Sequence, residues 1–343
     1  MFKKINISII GVTGFTGIEL IRLLVNHPYV KLKYLVSKTH GEHSKDYGQK
    51  ISDVWPHLKN ICDLDLTDMD VQKVAEESDV VFLALPHHES QKIVPIIINK
   101  TKIIDLSADF RLHDKSLYAQ YYDHEHDYAE GLSQFIYGLP ELHKEKIVSA
   151  QNIANPGCFA ITAELAILPL KGCIEHVSLF AITGSSGAGK KPQDETHHSI
   201  RNHNVTSYKI GVHQHIPEII QELEIEKSQL TFVPTRGPFT RGIHLTAYFY
   251  FQKKFSQKKI MNLYKKTYAK APFVRMKKNV QLADVIGSNF CDIAVHNVNG
   301  KFIIQAVIDN LVRGAAGTAI QNMNIMCGFD ETLGLKPISP IFP

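Results

Sequence analysis

A run of β-branched and small residues, Ile5-Asn-Ile-Ser-Ile-Ile10, passes without a break into Gly11-Val-Thr-Gly14-Phe-Thr-Gly17, and that turn opens a segment with helical spacing. No other feature constrains the fold as much. Glycines permit a tight turn and let backbone N–H groups approach a pyrophosphate at the positive end of a helix. The spacing is GxxGxxG rather than GxGxxG, so the strand–turn–helix context carries the reading. A dinucleotide-binding domain is expected at the start of the chain.

The rest of the first third fits this. Residues 16–26 place Ile18, Ile21, Leu24 and Val25 on one helical face, and residues 31–36 read as a second strand. A strand at 79–84, a helix at 88–99 and a strand at 102–106 follow, which implies a parallel sheet with helices on both faces. Residues 111–150 look irregular and are rich in Tyr, His and Asp. The character changes at Ala154. A helix is expected over 158–170 and a strand over 177–183, with further strands at 229–234, 243–251, 290–296 and 301–308. The alternation in HLTAYFYF suits an antiparallel sheet with one covered face. The last helical segment, 314–326, is expected to pack back on the first domain. The expected fold class is α/β: a Rossmann-type parallel-sheet domain (1–155 and 310–343) plus a mixed α+β, largely antiparallel domain (156–309) for substrate and dimerisation.

Composition excludes several functions. The 343 residues carry a net charge of +4, which suits a polyanionic small molecule but not nucleic acid. Cysteines 62, 158, 173, 291 and 327 form no CxxC and no disulfide framework. The N-terminal MFKKINISIIGV reads as a buried strand rather than a signal peptide, since Asn6 and Ser8 interrupt it and no cleavage site follows. No apolar run reaches transmembrane length. A cytoplasmic protein without membrane or nucleic-acid partners is expected.

Four further motifs bear on chemistry. The second strand ends in Val36-Ser37-Lys38 rather than in an acid, and a hydroxyl followed by a cation suits the 2′-phosphate of NADP(H). In Asn155-Pro-Gly157-Cys158, a thiol stands at a predicted helix start, where the helix dipole favours the nucleophilic thiolate. The other four cysteines read as ordinary small residues. In Gly211-Val-His213-Gln-His215-Ile-Pro-Glu218, two His at i, i+2 share one side of an extended segment. One is placed to act as acid–base, with Glu218 orienting it. No metal is expected, because no third ligand has a telling spacing. The pairs His87–His88 and His197–His198 read as surface or loop residues. Finally, Gly184-Ser-Ser-Gly-Ala-Gly189-Lys190-Lys191 imitates a P-loop but has Lys191 where Ser or Thr must ligate magnesium. It reads as a Gly/Ser loop whose Lys190 and amides face an anion, or as a loop alone.

Taken together, GVTGFTGIEL, DVVFLALPHHES, IIDLSADFRL, YGLPEL, ANPGCFAIT, GVHQHIPEI and IDNLVRGAAGTAIQNMN resemble, in order and from end to end, the N-acetyl-gamma-glutamyl-phosphate reductases of the semialdehyde dehydrogenase family. The resemblance implies NADPH-dependent reduction of N-acetyl-glutamyl 5-phosphate to the semialdehyde through a Cys158 thioester, with release of phosphate, in arginine biosynthesis. It implies Gly11, Thr13, Gly14, Phe15, Thr16 and Gly17 at the nucleotide and Asn310 near the nicotinamide, while Ser37 and Lys38 at the 2′-phosphate rest on the residues alone. It implies His213, somewhat ahead of His215, as acid–base. It implies Ser107, Arg111, Asn155, Lys190 and Arg241 at the substrate, and a homo-oligomer, dimer or tetramer. Two departures stand out: the family often has an Arg near Ser37-Lys38, and commonly Arg then Lys where this chain has Lys190-Lys191. Aspartate-semialdehyde dehydrogenase and a reductase of carrier-protein-linked amino-adipyl or glutamyl phosphate are the alternatives.

Overall fold

The structure is a computed structural model that describes residues 3–37, 46–68 and 70–335. The chain forms two compact units, Met1–Asn155 with Ala316–Leu335, and Pro156–Ala315.

The first unit is built on strands β1 (Ile5–Ile10), β2 (Val30–Val36), β3 (Leu66–Thr67), β4 (Val80–Leu83), β5 (Lys102–Asp105), β6 (Ile136–Tyr137) and β7 (Asn152–Ala154). They form one sheet in the order β3-β2-β1-β4-β5-β7-β6, and every pairing is parallel. Order 3-2-1-4-5 is that of a doubly wound nucleotide-binding sheet. Its central strands are buried because crossover helices cover both faces. Those helices are α1 (Phe15–Leu24), α2 (Ile51–Val54), α3 (Val71–Glu76), α4 (Ser90–Ile97), α5 (Lys115–Tyr122) and α6 (Pro140–Ser149). Helix α1 buries Ile18, Leu20, Ile21, Leu23 and Leu24.

Residues 111–150 are less irregular than their composition implies, since they hold α5, a 3-10 turn at Ala129–Gln134 and α6. Helix α5 starts where Asp114 accepts the Ser116 N–H, and it buries only Tyr118, so it lacks an apolar stripe. Helix α6 starts with Pro140, whose fixed φ suits a first turn, and kinks at His143. The C-terminal helix Gly317–Met326 follows a π-helical turn at Val312–Ala316. It is buried throughout and packs on α6 and α1. Its asparagines are tolerated there because each is bonded: Asn322 Nδ2 donates to the Gly138 carbonyl at 2.8 Å, and Asn324 Oδ1 lies 3.0 Å from His27 Nε2.

The second unit contains α7 (Cys158–Ile167), β8 (Ile174–Thr183), α8 (His198–Arg201), β9 (Thr206–Ser207), α9 (Ile216–Leu223), β10 (Leu230–Arg236), β11 (Ile243–Phe251), α10 (Gln257–Thr267), β12 (Val274–Lys277), β13 (Cys291–Val298) and β14 (Lys301–Ile308). Its sheet runs β12-β13-β14-β11-β8-β10-β9. The pairs β12–β13 and β8–β10 are parallel and the other four antiparallel. Helix α7, buried beyond Cys158 and mostly apolar apart from Thr162 and Glu164, packs on β11 and β14. Strand β11 turns Ile243, Leu245, Ala247 and Phe249 inward and leaves Tyr248 and Tyr250 exposed. Among the described residues, no helix is long and apolar enough to cross a membrane.

Candidate active site

The nucleotide turn assembles as its glycines require. Gly11 has φ +84°, and a Cβ on it would lie 2.4 Å from the Ala84 carbonyl oxygen at the end of β4. A Cβ on Gly17 would meet the Val12 backbone at 2.6 Å, so this glycine lets α1 pack against the strand end. Gly14 is the N-cap in extended conformation, with no side-chain cap and no acid in the first turn. The first N–H groups of α1 therefore remain available to an anion. Thr13, Phe15 and Thr16 are half-buried around the turn. These features fit a dinucleotide pyrophosphate. At the end of β2, Ser37 donates its hydroxyl to Asp68 Oδ1 at 2.8 Å, which sets a carboxylate beside it. Lys38 lies outside the described residues.

The residues of SADFR bind one another and the backbone. Ser107 Oγ donates to Asp105 Oδ2 at 2.7 Å and accepts the Asp109 N–H at 3.1 Å, while Ser90 donates to Asp105 Oδ1 at 2.6 Å. Burial and the nearby Asp109 raise Asp105 to about 7. Arg111 is buried; its Nε donates to the Asn155 carbonyl at 2.8 Å and one Nη to the Leu106 carbonyl at 2.9 Å. The Asn155 N–H bonds the Asp105 carbonyl, and its Oδ1 accepts from Asn322 at 3.3 Å. Ser107, Arg111 and Asn155 thus brace the carboxyl ends of β5 and β7. His88 is also engaged, since its N–H donates to Asp109 and its Nδ1 lies 3.1 Å from the Tyr118 hydroxyl. His88 is a turn residue, as its sequence suggests, but a bonded and half-buried one.

Cys158 is the first residue of α7, with Gly157 as an extended N-cap. It is partly exposed, while the remainder of the helix is buried. Thr162 Oγ1 donates to its carbonyl at 2.7 Å. Gly157 donates its N–H to Glu218 Oε2 at 2.9 Å, and Glu218 also sits in the first turn of α9. A fully buried carboxyl group thus lies at the starts of two helices. The other Glu218 oxygen is 3.9 Å from His215 Nε2.

The HQH segment is not extended. His215 has φ −86° and ψ −6° and caps α9, whose first turn is set by Pro217. The two rings still meet, with centroids 4.8 Å apart. His213 packs against Phe159 and Phe232. Its Nδ1 accepts the His215 N–H at 3.1 Å, which assigns the proton of the neutral ring to Nε2, 3.4 Å from the Tyr208 hydroxyl. Desolvation, then His215, lowers His213 to about 2. The folded protein therefore keeps this ring neutral while the unfolded chain takes up a proton below about pH 6.5. Stability is lost as pH falls through that value, by about 2 kcal/mol from this group at pH 5. Denaturant unfolding at pH 5 and 7.5 is expected to show a smaller pH difference in His213→Gln than in the parent. An unchanged difference would contradict this protonation state.

Beyond β14, Asp309 gathers the chain. Its buried carboxylate accepts Arg241 Nε at 3.0 Å and Nη2 at 3.2 Å, and also the N–H groups of Gly287, Leu311 and Val312. Asn310 Oδ1 accepts the Gly242 N–H at 2.6 Å, and its Nδ2 donates to Ser186 Oγ at 3.0 Å. Asn310 belongs to the second unit, and the C-terminal part of the first unit begins at Ala316. The resulting turn brings Gly314 to Cys158: a Cβ on Gly314 would lie 2.7 Å from the Cys158 Cβ. In the Gly/Ser loop part of the backbone is already engaged. The N–H groups of Gly184, Ser185 and Ser186 donate to the carbonyls of Gly242, Phe239 and Thr240, so they do not cradle an anion. Lys190 and Lys191 are exposed beyond that turn.

The structure thus gathers Cys158, His213, His215 and Glu218 in one unit. Tyr208, Asp309 and Gly314, which lie around these residues, carry no motif that marks them in the sequence. Among the described residues, no three His, Cys, Asp or Glu are placed to hold a metal.

The comparisons with known proteins agree with this layout. Residues 6–150 match the NAD-binding domain of semialdehyde dehydrogenases, and residues 158–310 match their dimerisation domain. The chain belongs to the semialdehyde dehydrogenase family. It is 44% identical to an N-acetyl-gamma-glutamyl-phosphate reductase of Methanocaldococcus jannaschii, over 96% of this chain and 97% of that protein. It is 39% identical to a protein of Nitrosopumilus maritimus named as a putative [LysW]-L-2-aminoadipate/[LysW]-L-glutamate phosphate reductase, over 98% and 99%. Its fold is shared with aspartate semialdehyde dehydrogenase II of Vibrio cholerae, with a TM-score of 0.71, 16% identity, and coverage of 95% of this chain and 99% of that one. This semialdehyde dehydrogenase is accordingly an oxidoreductase with a nicotinamide-dinucleotide domain.

Proposed function

We propose that this enzyme reduces N-acetyl-γ-glutamyl phosphate to the semialdehyde with NADPH and releases phosphate, in the cytoplasm and as a step of arginine biosynthesis. The observation that carries the reading is the partly exposed Cys158 at the tip of α7, with Glu218 fixing the preceding peptide. The name of the 44% identical relative supports the substrate.

In this mechanism the Cys158 sulfur attacks the acyl carbon. The N–H groups at the start of α7 favour the negative charge that builds on sulfur and carbonyl oxygen. The C–O bond to phosphate breaks, leaving a thioester on Cys158, and the thiol proton goes to the departing phosphate. His213 contributes as a neutral donor through Nε2–H, since burial opposes its protonation. His215, 3.9 Å from the Glu218 carboxylate, is the better placed of the two rings to carry a positive charge. A bound reduced nicotinamide would supply the hydride that the acyl group takes up. Collapse then expels the Cys158 thiolate and frees the aldehyde, and the sulfur regains a proton from water. In the first unit, the turn from Gly11 to Gly17 would hold the pyrophosphate, and Ser37 with Lys38 the 2′-phosphate.

Phosphate-dependent reduction of NADP+ is the test, run in parallel with N-acetylglutamate semialdehyde, aspartate semialdehyde and a carrier-protein-linked glutamate semialdehyde. The first is expected to turn over fastest. A preference for the carrier-linked compound would favour the second reading, which the Nitrosopumilus relative supports. No activity with any of them would overturn both. The same enzyme is proposed to dimerise through the sheet face that exposes Phe180, Tyr248 and Tyr250. Sedimentation of a Tyr248→Glu variant as a monomer would support this.

A further inference from the structure

Two arginines of the second unit, Arg201 and Arg236, take no part in the mechanism above. Arg201 ends α8, and Arg236 ends β10. The Arg236 guanidinium lies on the face of the Tyr208 ring, 3.9 Å from its centroid, and one nitrogen donates to Glu195 at 3.1 Å. Arg201 donates from Nη2 to the Thr183 carbonyl at 2.9 Å. Arg201 is only 9% exposed, and its buried Nε has no hydrogen-bond partner among the described residues. An unspent guanidinium N–H in a buried position costs free energy that a bound anion would relieve. Arg236 is the register partner of Thr183, whose carbonyl holds Arg201, and burial and the Arg236 charge both act against the charge on Arg201.

Tyr208 links this pair to the nucleophile. Its hydroxyl lies 3.4 Å from His213 Nε2, and the His213 ring packs on Phe159, the residue after Cys158. Burial, then Cys158, raises the Tyr208 phenol, so the hydroxyl keeps its proton and is a donor at neutral pH. Two planar forks and a hydroxyl are a donor set suited to a phosphoryl or carboxylate group.

We infer that Arg201, Arg236 and Tyr208 form an oxyanion subsite beside Cys158 that holds the phosphoryl or the carboxylate group of the substrate. The inference rests on the acyl-phosphate reading for its ligand, and a second readout is independent of turnover. In the oxidative direction, Arg236→Gln and Arg201→Lys are expected to raise one KM about tenfold while kcat changes less. A raised KM for inorganic phosphate assigns the subsite to the phosphoryl group, and a raised KM for the semialdehyde assigns it to the carboxylate. Arg236→Lys should recover part of the loss at its position. Independently, inorganic phosphate or N-acetylglutamate should slow alkylation of Cys158 by iodoacetamide in the parent, and less so in Arg236→Gln. Protection without any turnover would sink the proposed reaction but leave the subsite standing. Active variants with both KM values within twofold of the parent, together with alkylation indifferent to either anion, would overturn the subsite.

Discussion

Cys158→Ser is expected to lower turnover by roughly 10³-fold or more, with nucleotide binding unchanged. A serine hydroxyl keeps the size and place of the thiol at the tip of α7, so the fold gives no reason for loss. What changes is the chemistry. A thiol loses its proton several units below an alcohol, and the helix end favours the anion further. A thioester also accepts hydride more readily than an ester. The nucleotide turn lies in the first unit, so fluorescence titration with NADPH should match the parent. Turnover within tenfold of the parent would exclude a covalent route through this residue.

Gly314→Ala is the second large effect, expected to reduce kcat by roughly 10²-fold through displacement of the nucleophile. The added methyl would stand 2.7 Å from the Cys158 Cβ and 3.2 Å from its Cα, closer than carbon atoms pack. Neither side yields easily. The Gly314 N–H is bonded to the Asp309 carbonyl at 2.9 Å, and the Asp309 carboxylate is held by Arg241 and three backbone N–H groups. Cys158 is held by the buried helix behind it. Comparing kcat with thermal stability and with the rate of Cys158 alkylation separates displacement from unfolding. Unchanged kcat would show that the turn moves aside freely.

These two residues also show what the sequence discloses. Cys158 was legible because Pro156 and Gly157 announce a turn into a helix, and a thiol in that place has a chemical consequence. Gly11, Gly14 and Gly17 were legible because their demands are local, in the turn they themselves form. Gly314 was not, because its need for a missing side chain arises from Cys158, remote in sequence. Tyr208 and Asp309 were hidden likewise, since their roles come from which strand ends the second sheet brings together. The HQH segment was read as extended although Pro217, a first-turn residue, marks a helix start at that point. Residues 111–150 were misjudged because α5 buries one aromatic side chain and offers no apolar period to detect. Ser107 and Arg111 show a different limit. Their residue types suit an anion, and only the structure reveals that Asp105 and two backbone carbonyls engage them.

The helix Gly317–Met326 has a consequence for how the protein is made. It fills the packing between α1 and α6, yet it is encoded after the described part of the second unit. During synthesis the early strands emerge with those helix flanks still wet and with His27 lacking the asparagine it meets in the finished protein. The described part of the second unit, Pro156–Ala315, is contiguous in the chain and has no such wait. Nascent molecules therefore pass through a stage in which the strands of the later unit are complete while the earlier unit still needs its last helix, and a stop codon just after Ala315 would damage the beginning of the protein rather than its end.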